Sequence, residues 1–433
     1  MKFISVFLLI IVLNLHKLCS QSVIINEILA SNVRDFPEMQ DFDDYTDWIE
    51  IHNPSSQPFT FYENFITDEN GAPYKIYKNS PDEIWNTKVY KDLRKDLLTG
   101  KKPKMCVRCW REEATGIKSA REGFNESYKE HINEAIASTK EDGSAPVKGV
   151  YVDLRLGNLC NLKCRMCNPW ASNQWVEEWN TKTSYDGSTI DQQERDRLTH
   201  MNWPTNEKTW ENLMPIIDTV EEIYLTGGEP TLALEQYKLF DRCIELNKAK
   251  DIILKYNTNL TNIPPKMIDY WKHFKKIKIN ASIDGYDQLN RYIRYPTNWK
   301  SVNKNLSAFA EMEKQGKMRV QVHSTVQIYN VLDLNELFEY TMQFGYFPYL
   351  NILDHPDYLN VRVLPQNLKE EAAKRLQPWI KQDKVEGLIN YMMAEDWTKH
   401  TDKFVEYTTE IDKSRNQSLE KVAPSLKEVL DIV

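Results

Sequence analysis

The alternation of apolar and polar positions divides the chain into segments of different character. Between residues 150 and 365, short apolar runs of strand length alternate with stretches whose apolar residues recur at helical spacing. Six strands are predicted in this part, at residues 150–156, 222–225, 252–256, 276–282, 319–327 and 349–353. Strands that alternate with helices predict an α/β fold with a parallel sheet, and six such units fit a partial (β/α)6 barrel.

The flanking segments follow other patterns. Residues 23–25 and 48–51 have the composition of two short strands, whereas residues 81–98 carry apolar side chains at helical spacing and end before Gly100. A further helix is predicted up to about residue 139, and residues 140–146 form a linker. The polar stretch 180–208 is a long insertion, and residues 366–433 predict a C-terminal extension of amphipathic helices.

The first 20 residues resemble a secretory signal peptide. Lys2 precedes an apolar run from Phe3 to Leu15, and Ser20 suits the position before a cleavage site. A buried N-terminal helix or strand is the alternative interpretation. The run is shorter than the roughly 20 apolar residues that a membrane-spanning helix needs, so no membrane span is expected in the mature chain.

Charge and cysteine content narrow the class of protein. The net charge of −8 over 433 residues disfavours nucleic acid as a partner, because such partners require clustered basic excess. Five of the seven cysteines stand in two tight groups, which indicates metal or cluster ligation in a reducing compartment rather than a disulfide framework. The active protein is therefore expected in the cytoplasm, although the signal-like start leaves export open.

One cysteine group follows the first predicted strand of the barrel. Cys160, Cys164 and Cys167 have the spacing C-x3-C-x2-C, and thiolates are the ligands of iron–sulfur clusters. Three thiols on a four-iron cluster leave one iron open to chelate the amino and carboxylate groups of a methionine moiety. Electron transfer would then split the sulfonium of S-adenosylmethionine and give a 5′-deoxyadenosyl radical. The position of the three cysteines just after a strand agrees with a catalytic role, because active groups of βα barrels lie at the carboxyl ends of strands.

These residues make the chain resemble the radical S-adenosylmethionine superfamily, and within it twitch-type members that carry a cysteine-bearing region before the barrel. Met166 departs from the aromatic residue that the family usually has before the last cysteine. The resemblance implies that both cofactors, the [4Fe–4S] cluster and S-adenosylmethionine, are bound here. It implies a low-potential electron donor of flavodoxin or ferredoxin type. It also implies cofactor-binding roles for residues that follow the second, third and fourth strands: Gly227, Gly228, Glu229, Asn257, Asn259, Ser282, Asp284 and Arg294.

Within that set, the resemblance assigns particular contacts. Glu229 and the backbone carbonyls beside it would bind the methionine amino group, and Asn257 and Asn259 would lie on the ribose side. Arg294 would lie near the methionine carboxylate, for which a guanidinium is suited by its paired donors.

The second cysteine group, Cys106 and Cys109, has the spacing C-x2-C, which fits half of a zinc site, a redox pair or part of an auxiliary cluster. The resemblance favours an auxiliary iron–sulfur cluster. No cysteine lies between Cys19 and Cys106, so the auxiliary site is incomplete unless Cys19 or another chain supplies ligands. Cys243 stands between apolar residues of a predicted helix and is expected in the core.

Five segments are therefore predicted. Residues 1–20 are signal-peptide-like, and residues 21–70 resemble the opening strands of a lamin-tail domain. Residues 71–147 form a twitch-like cysteine-bearing subdomain, residues 148–365 the radical S-adenosylmethionine core, and residues 366–433 a C-terminal helical extension.

The resulting hypothesis is an enzyme that abstracts hydrogen from an unidentified substrate. The chain has no glycine-rich phosphate loop in its helical parts, and a peptide or protein side chain is favoured over a small molecule. Two alternatives remain open at this point. One is an exported lamin-tail-type binding protein whose barrel is inactive, and the other is an iron–sulfur protein that only transfers electrons.

Overall fold

The computed structural model describes residues 85–114, 119–199, 203–205, 207–316 and 318–431, together with four short strands nearer the N-terminus. These strands are β1 (Ile24–Leu29), β2 (Trp48–His52), β3 (Phe65–Thr67) and β4 (Pro73–Lys75), and they form two antiparallel pairs, β1 with β2 and β3 with β4. The two strands predicted in this part are therefore confirmed. The signal-like segment 1–20, Cys19 and most of the lamin-tail-like segment lie outside the described residues.

The chain divides into two compact units, residues 1–147 and residues 148–433. The first unit continues with α1 (Lys88–Leu98), α2 (Val107–Ala114), α3 (Ala120–Ser127) and α4 (Lys129–Ser138). Ser119 begins α3 with a capping box, because its hydroxyl accepts from Glu122 N while the Glu122 carboxylate accepts from Ser119 N. Residues 140–147 contain neither helix nor strand, as predicted for a linker.

The second unit is built on a six-stranded parallel sheet, which confirms the predicted α/β fold class. Its strands are β5 (Tyr151–Arg155), β6 (Glu222–Thr226), β7 (Ile253–Thr258), β8 (Lys276–Ser282), β9 (Met318–Val326) and β10 (Tyr349–Ile352). Each strand pairs with the next one along the chain, so β5 and β10 are the two edges of an open, partial barrel.

Helices cover the convex face of this sheet. They are α5 (Gln192–Thr199), α6 (Glu207–Leu213), α7 (Gln236–Glu245), α8 (Pro265–Trp271), α9 (Gln288–Ile293), α10 (Trp299–Lys314) and α11 (Leu334–Met342). Successive strand residues point to opposite faces. On β7, Leu254 and Tyr256 are fully buried in the core, whereas Lys255 and Asn257 on the concave face are half-buried. Cys243 of α7 is fully buried in the same core, as predicted.

The C-terminal helices belong to the same compact unit as the sheet. They are α12 (Gln366–Leu376), α13 (Val385–Ala394), α14 (Thr401–Arg415), α15 (Leu419–Val422) and α16 (Lys427–Leu430). The longest of them, α14, buries Phe404, Tyr407 and Ile411. Within the described ranges, no helix has both the length and the apolar character that crossing a membrane would require.

Candidate active site

The three clustered cysteines line one cavity of about 560 Å³ at the carboxyl end of the parallel sheet. They lie on the loop of residues 157–173, here named the cysteine loop, which follows β5. The backbone N–H groups of Lys163 and Arg165 donate to the carbonyls of Tyr295 and Ile293, at 2.7 and 2.8 Å. The loop is thus fixed along the end of α9 and the residues just after it.

The thiols fit a cationic metal cluster by their chemistry and surroundings. Burial, with the nearby charge of Cys164, raises the pKa of the Cys160 thiol to about 12. A hydrogen bond between the thiols of Cys164 and Cys167 lowers the pKa of the first and raises that of the second. Three thiol groups therefore converge in a buried place, where a bound metal would stabilise the thiolates that its coordination requires.

Gly227 and Gly228 bring the loop after β6 against the cysteine loop. Gly227 has φ +121°, and a Cβ atom there would lie 2.7 Å from the carbonyl oxygen of Gly157. A Cβ atom on Gly228 would lie 2.2 Å from the carbonyl oxygen of Leu159. Both residues line the cavity, and only glycine permits this contact between the two backbones.

Glu229 lines the cavity and is almost fully buried, and its carboxylate is held by several protein donors. Oε1 accepts from the hydroxyls of Thr231 and Thr258, each at 2.7 Å, and Oε2 accepts from Asn259 N at 2.7 Å. Burial raises the pKa of this carboxyl, and the hydrogen bonds act in the opposite direction. Glu229 therefore joins the end of β6 to the end of β7, a role that the sequence did not indicate.

The two asparagines predicted on the ribose side both line the cavity. Asn257 Oδ1 accepts from Asn280 Nδ2 at 2.8 Å, across the β7–β8 pair. Asn259 Nδ2 donates to Asn161 Oδ1 at 2.9 Å, so its amide holds the cysteine loop. The side-chain amides of both asparagines thus hold neighbouring side chains in place by hydrogen bonds.

After β8, the structure separates the roles of three predicted cofactor-binding residues. Ser282 and Arg294 line the cavity. Asp284 does not line the cavity and is fully buried. Its Oδ2 forms an ion pair with Arg294 Nε at 2.7 Å, and its Oδ1 accepts from Thr325 N at 2.7 Å. Asp284 thus lies behind Arg294 and orients it, and its predicted role in cofactor binding stays a prediction.

Further polar side chains line the cavity and were missed from the sequence. They come from the concave face of β5 and β6 and from the end of β7: Asp153, Arg155, Tyr224, Thr226 and Thr258. Strict alternation along β5 and β6 would have identified four of them, because Asp153 and Arg155 are two residues apart and so are Tyr224 and Thr226.

A buried network joins the cysteine loop to the C-terminal helix α14. Arg165, whose side chain has no exposed surface, forms an ion pair with Asp412 and stacks its guanidinium on Tyr292, 3.6 Å from the ring centre. The Tyr407 hydroxyl donates to the Arg165 carbonyl. Residues of the predicted C-terminal extension thus hold the segment between two of the three cysteines.

A second contact between the same elements runs through Trp175. Its indole Nε1 donates to the Cys164 carbonyl at 2.9 Å, and its ring stacks on Tyr407 with centres 6.4 Å apart. The guanidinium of Arg415 lies 4.8 Å from the Trp175 ring and forms an ion pair with Glu178 at 2.8 Å. Helix α14 and Trp175 therefore support the cysteine loop at Cys164 and Arg165.

The other cysteine pair lies in the first unit and is only partly buried. Cys106 ends a short 3₁₀ turn, Lys104–Cys106, and Cys109 is on α2. Burial and the neighbouring Cys109 raise the pKa of the Cys106 thiol. Within the described part of this unit no third cysteine joins them, so the structure supplies two thiols for the predicted auxiliary cluster.

Comparison with protein families finds one family model that matches the residues of this site. The model of the Radical SAM superfamily matches residues 154–339, which contain the cysteine loop and β6 to β9. The match covers less than half of the chain and makes these residues similar to a radical SAM domain, the catalytic domain of enzymes that use a [4Fe–4S] cluster and S-adenosylmethionine. The predicted enzyme class and its two cofactors are confirmed at the level of this domain. The chain matches no curated protein sequence.

Solved structures that the chain matches include the following three. SuiB of Streptococcus suis bound to S-adenosylmethionine is 16% identical, with 64% of this chain and 57% of that chain covered and a TM-score of 0.35. The anSMEcpe structure with AdoMet and the Cp18Cys peptide is 17% identical, with 55% and 61% covered and a TM-score of 0.35.

The third is TYW1 with a lysine-pyruvate adduct bound, which is 14% identical, with 53% and 73% covered and a TM-score of 0.28. The chain thus spans about three fifths of the length of SuiB and anSMEcpe. At these scores the similarity carries no argument about substrate or reaction.

Proposed function

We propose that the protein reductively cleaves S-adenosylmethionine and uses the resulting radical to abstract hydrogen from a peptide or protein side chain. One observation carries the first part of this proposal. Cys160, Cys164 and Cys167 converge on the same cavity that Glu229 and Arg294 line. When bound, the cluster supplies the electron that splits the sulfonium of S-adenosylmethionine into methionine and a 5′-deoxyadenosyl radical.

The side chains around the cavity have distinct roles in this proposal. The three cysteine thiolates hold the cluster. Arg294, oriented by Asp284, provides positive charge and N–H donors for the methionine carboxylate. The carbonyls beside Gly227 and Gly228 accept from the methionine ammonium group. Glu229 adds negative charge to this side of the cavity while it holds the strand ends in place.

Asn257, Asn259 and Ser282 form the polar wall on which the nucleoside part would rest. The amide of Asn259 also ties this wall to the cysteine loop, so the cluster ligands and the nucleoside site are fixed to each other. A volume of about 560 Å³ falls in the range of about 300–1,000 Å³ that is typical of a site for one small molecule.

The exposure of the concave face favours a peptide or protein substrate over a small molecule. Below the cavity, Arg319 and Gln321 of β9 are exposed, so this face is accessible to a peptide or a protein side chain. A flavodoxin- or ferredoxin-type donor would supply the electron. The cytoplasm suits both that electron and three reduced thiols, and fractionation of expressing cells should recover the iron-loaded protein there.

The test is anaerobic reconstitution with iron and sulfide, followed by addition of dithionite and S-adenosylmethionine. The proposal predicts about four irons per triad and release of 5′-deoxyadenosine and methionine. Loaded protein that takes up electrons but releases no deoxyadenosine would instead favour an electron-transfer protein. Deuterated peptides that transfer label to deoxyadenosine would support the peptide substrate, and transfer only from small metabolites would contradict it.

A further inference from the structure

The concave face of the sheet is basic although the chain as a whole is acidic. Strand alternation places five basic and two acidic residues on this face: Arg155, Lys255, Lys276, Lys278 and Arg319, against Asp153 and Glu222. The whole chain has a net charge of −8. A local excess of positive charge against that background indicates a surface that attracts an anionic group.

Glu222 does not neutralise this excess at the centre of the face. Its carboxylate forms an ion pair with Lys278 at 2.5 Å, on the strand next but one. Lys255 lies between these two strands on β7. No ion pair joins it to a carboxylate in the described part of the chain, and its ammonium group rests 4.6 Å from the ring centre of Tyr224, which lines the cavity. Lys255 is thus a half-buried charge that makes no ion pair, although the charges of Glu222 and Asp153 act on it.

His323 of β9 is a second polar group on this face with an unused atom. Its Nε2 is buried and has no hydrogen-bond partner among the described residues. It is the register partner of Ser282, which lines the cavity, and of Tyr349 on β10. Burial, together with the charges of Lys255 and Lys384, lowers the pKa of His323 to about 4. The imidazole is therefore neutral at pH 7, and Lys255 is near enough to act on it.

We propose that Lys255 binds a carboxylate of the substrate on the concave face, with His323 as a second polar contact. This inference rests on the proposed function, because it concerns the molecule that donates hydrogen. Lys255 lies two residues before Asn257, which is about 7 Å along the strand from a wall of the cofactor cavity. A substrate anchored here by an acidic group presents its neighbouring atoms to that cavity.

The carboxylate can come from an Asp or Glu side chain or from a free peptide C-terminus, and the two sources can be distinguished. The probe is an array of peptide pairs that differ only as Asp/Asn, as Glu/Gln, or as free acid against C-terminal amide. Binding of the reconstituted holoenzyme is measured with S-adenosylmethionine and without reductant, so that no turnover occurs. The charged member of one class of pair is expected to bind about 10- to 100-fold more tightly, as for a charged hydrogen bond.

Variants connect this preference with Lys255. Lys255→Met should abolish it, and Lys255→Arg should retain most of it, which also controls for folding. Lys314→Met is the matched control, since it removes one positive charge from an exposed position on α10 and should leave the preference unchanged. His323→Gln should reduce the preference several-fold. Equal binding of charged and amide peptides, or a preference that persists in Lys255→Met, would overturn the proposal.

The same preparations separate this inference from the proposed function. Deoxyadenosine release after addition of dithionite depends on the cysteine triad and the cofactor cavity. Release of deoxyadenosine without any preference for carboxylate peptides would agree with the proposed function and contradict the role of Lys255. A preference for carboxylate peptides that depends on Lys255, without release of deoxyadenosine, would agree with the binding role of Lys255 and contradict the proposed function.

Discussion

The two cysteine groups of this chain differ in how their surroundings hold them. Cys160 and Cys164 are buried, and the loop between them and Cys167 is tied down by Trp175, Arg165 and the strand ends. The pair in the first unit is half-buried on and beside a helix of eight residues. Near that pair, the Glu113–Arg121 ion pair at 2.8 Å remains partly exposed.

This difference shows what a short cysteine spacing does and does not specify. Both groups contain the C-x2-C spacing, yet only the triad has ligands whose backbone is fixed by residues far away in the sequence. A buried ion pair whose one partner is removed costs about 3–5 kcal/mol, whereas an exposed pair contributes about 0–1 kcal/mol. The rigidity of the triad therefore comes from its buried supports, and the predictions below test them in order of expected effect.

The largest effect is expected when the triad itself is removed. Replacing Cys160, Cys164 and Cys167 with Ala should remove about four irons per chain and abolish deoxyadenosine release, because no thiolate remains to hold the cluster. Iron content and deoxyadenosine are measured after anaerobic reconstitution. Cys243→Ala is the control, since this cysteine is buried in the helix core and should leave both quantities unchanged. A triple variant with full iron content would contradict the ligand assignment.

The next largest effect is expected at the buried support between the cysteine loop and α14. Asp412→Ala leaves the buried guanidinium of Arg165 without its counter-charge, so the free energy of unfolding should fall by about 3–5 kcal/mol. Denaturant unfolding under anaerobic conditions measures this, and the rate of iron loss to a chelator should rise in parallel.

The control for Asp412→Ala is Glu311→Ala in the same unit, which breaks an exposed ion pair with Lys314. Its expected cost is at most about 1 kcal/mol. Equal effects of the two substitutions would show that α14 only covers the sheet and does not support the loop.

The sequence predicted the sheet and the triad well, for a physical reason. Strand periodicity is local, and the cysteine spacing is contained in eight residues, so all six strands of the sheet were located within two residues at most of their ends. The support by Arg165 and Asp412 could not be predicted, because these residues are 247 positions apart and each alone has the pattern of an ordinary surface charge.

The candidate site also contains contacts that the sequence alone could not predict. Asp284 and Arg294 were both expected at the cofactor, but only packing decides which of two paired charges faces the cavity and which lies behind. Glu229 was expected as a ligand of the methionine group. Its hydrogen bonds to Thr258 and Asn259 depend on the pairing of β6 with β7, which local sequence does not specify.

A smaller effect is expected at Glu229, where the strand ends meet. Glu229→Ala should weaken binding of S-adenosylmethionine by about 10- to 100-fold, because it removes the negative charge from the cavity and leaves Thr258 and Asn259 without their acceptor. Iron content should remain unchanged, since the carboxylate is not a cluster ligand. Calorimetric titration of the reconstituted protein measures the affinity, and Glu221→Ala, one residue before β6, is the surface control. Unchanged affinity would remove Glu229 from the binding site.

The smallest effect is expected at the second cysteine group, and it sharpens the comparison most. If Cys106 and Cys109 are only part of an auxiliary site, the isolated chain has two of the ligands that a cluster requires and cannot hold one firmly. Replacing both with Ala should then leave the iron content near four per chain and change deoxyadenosine release without peptide by less than about twofold. Loss of several irons in this double variant would show that the pair does complete a cluster, with Cys19 or a second copy as the source of further thiolates. Gel filtration of the loaded protein separates those two sources, because only the second requires a dimer.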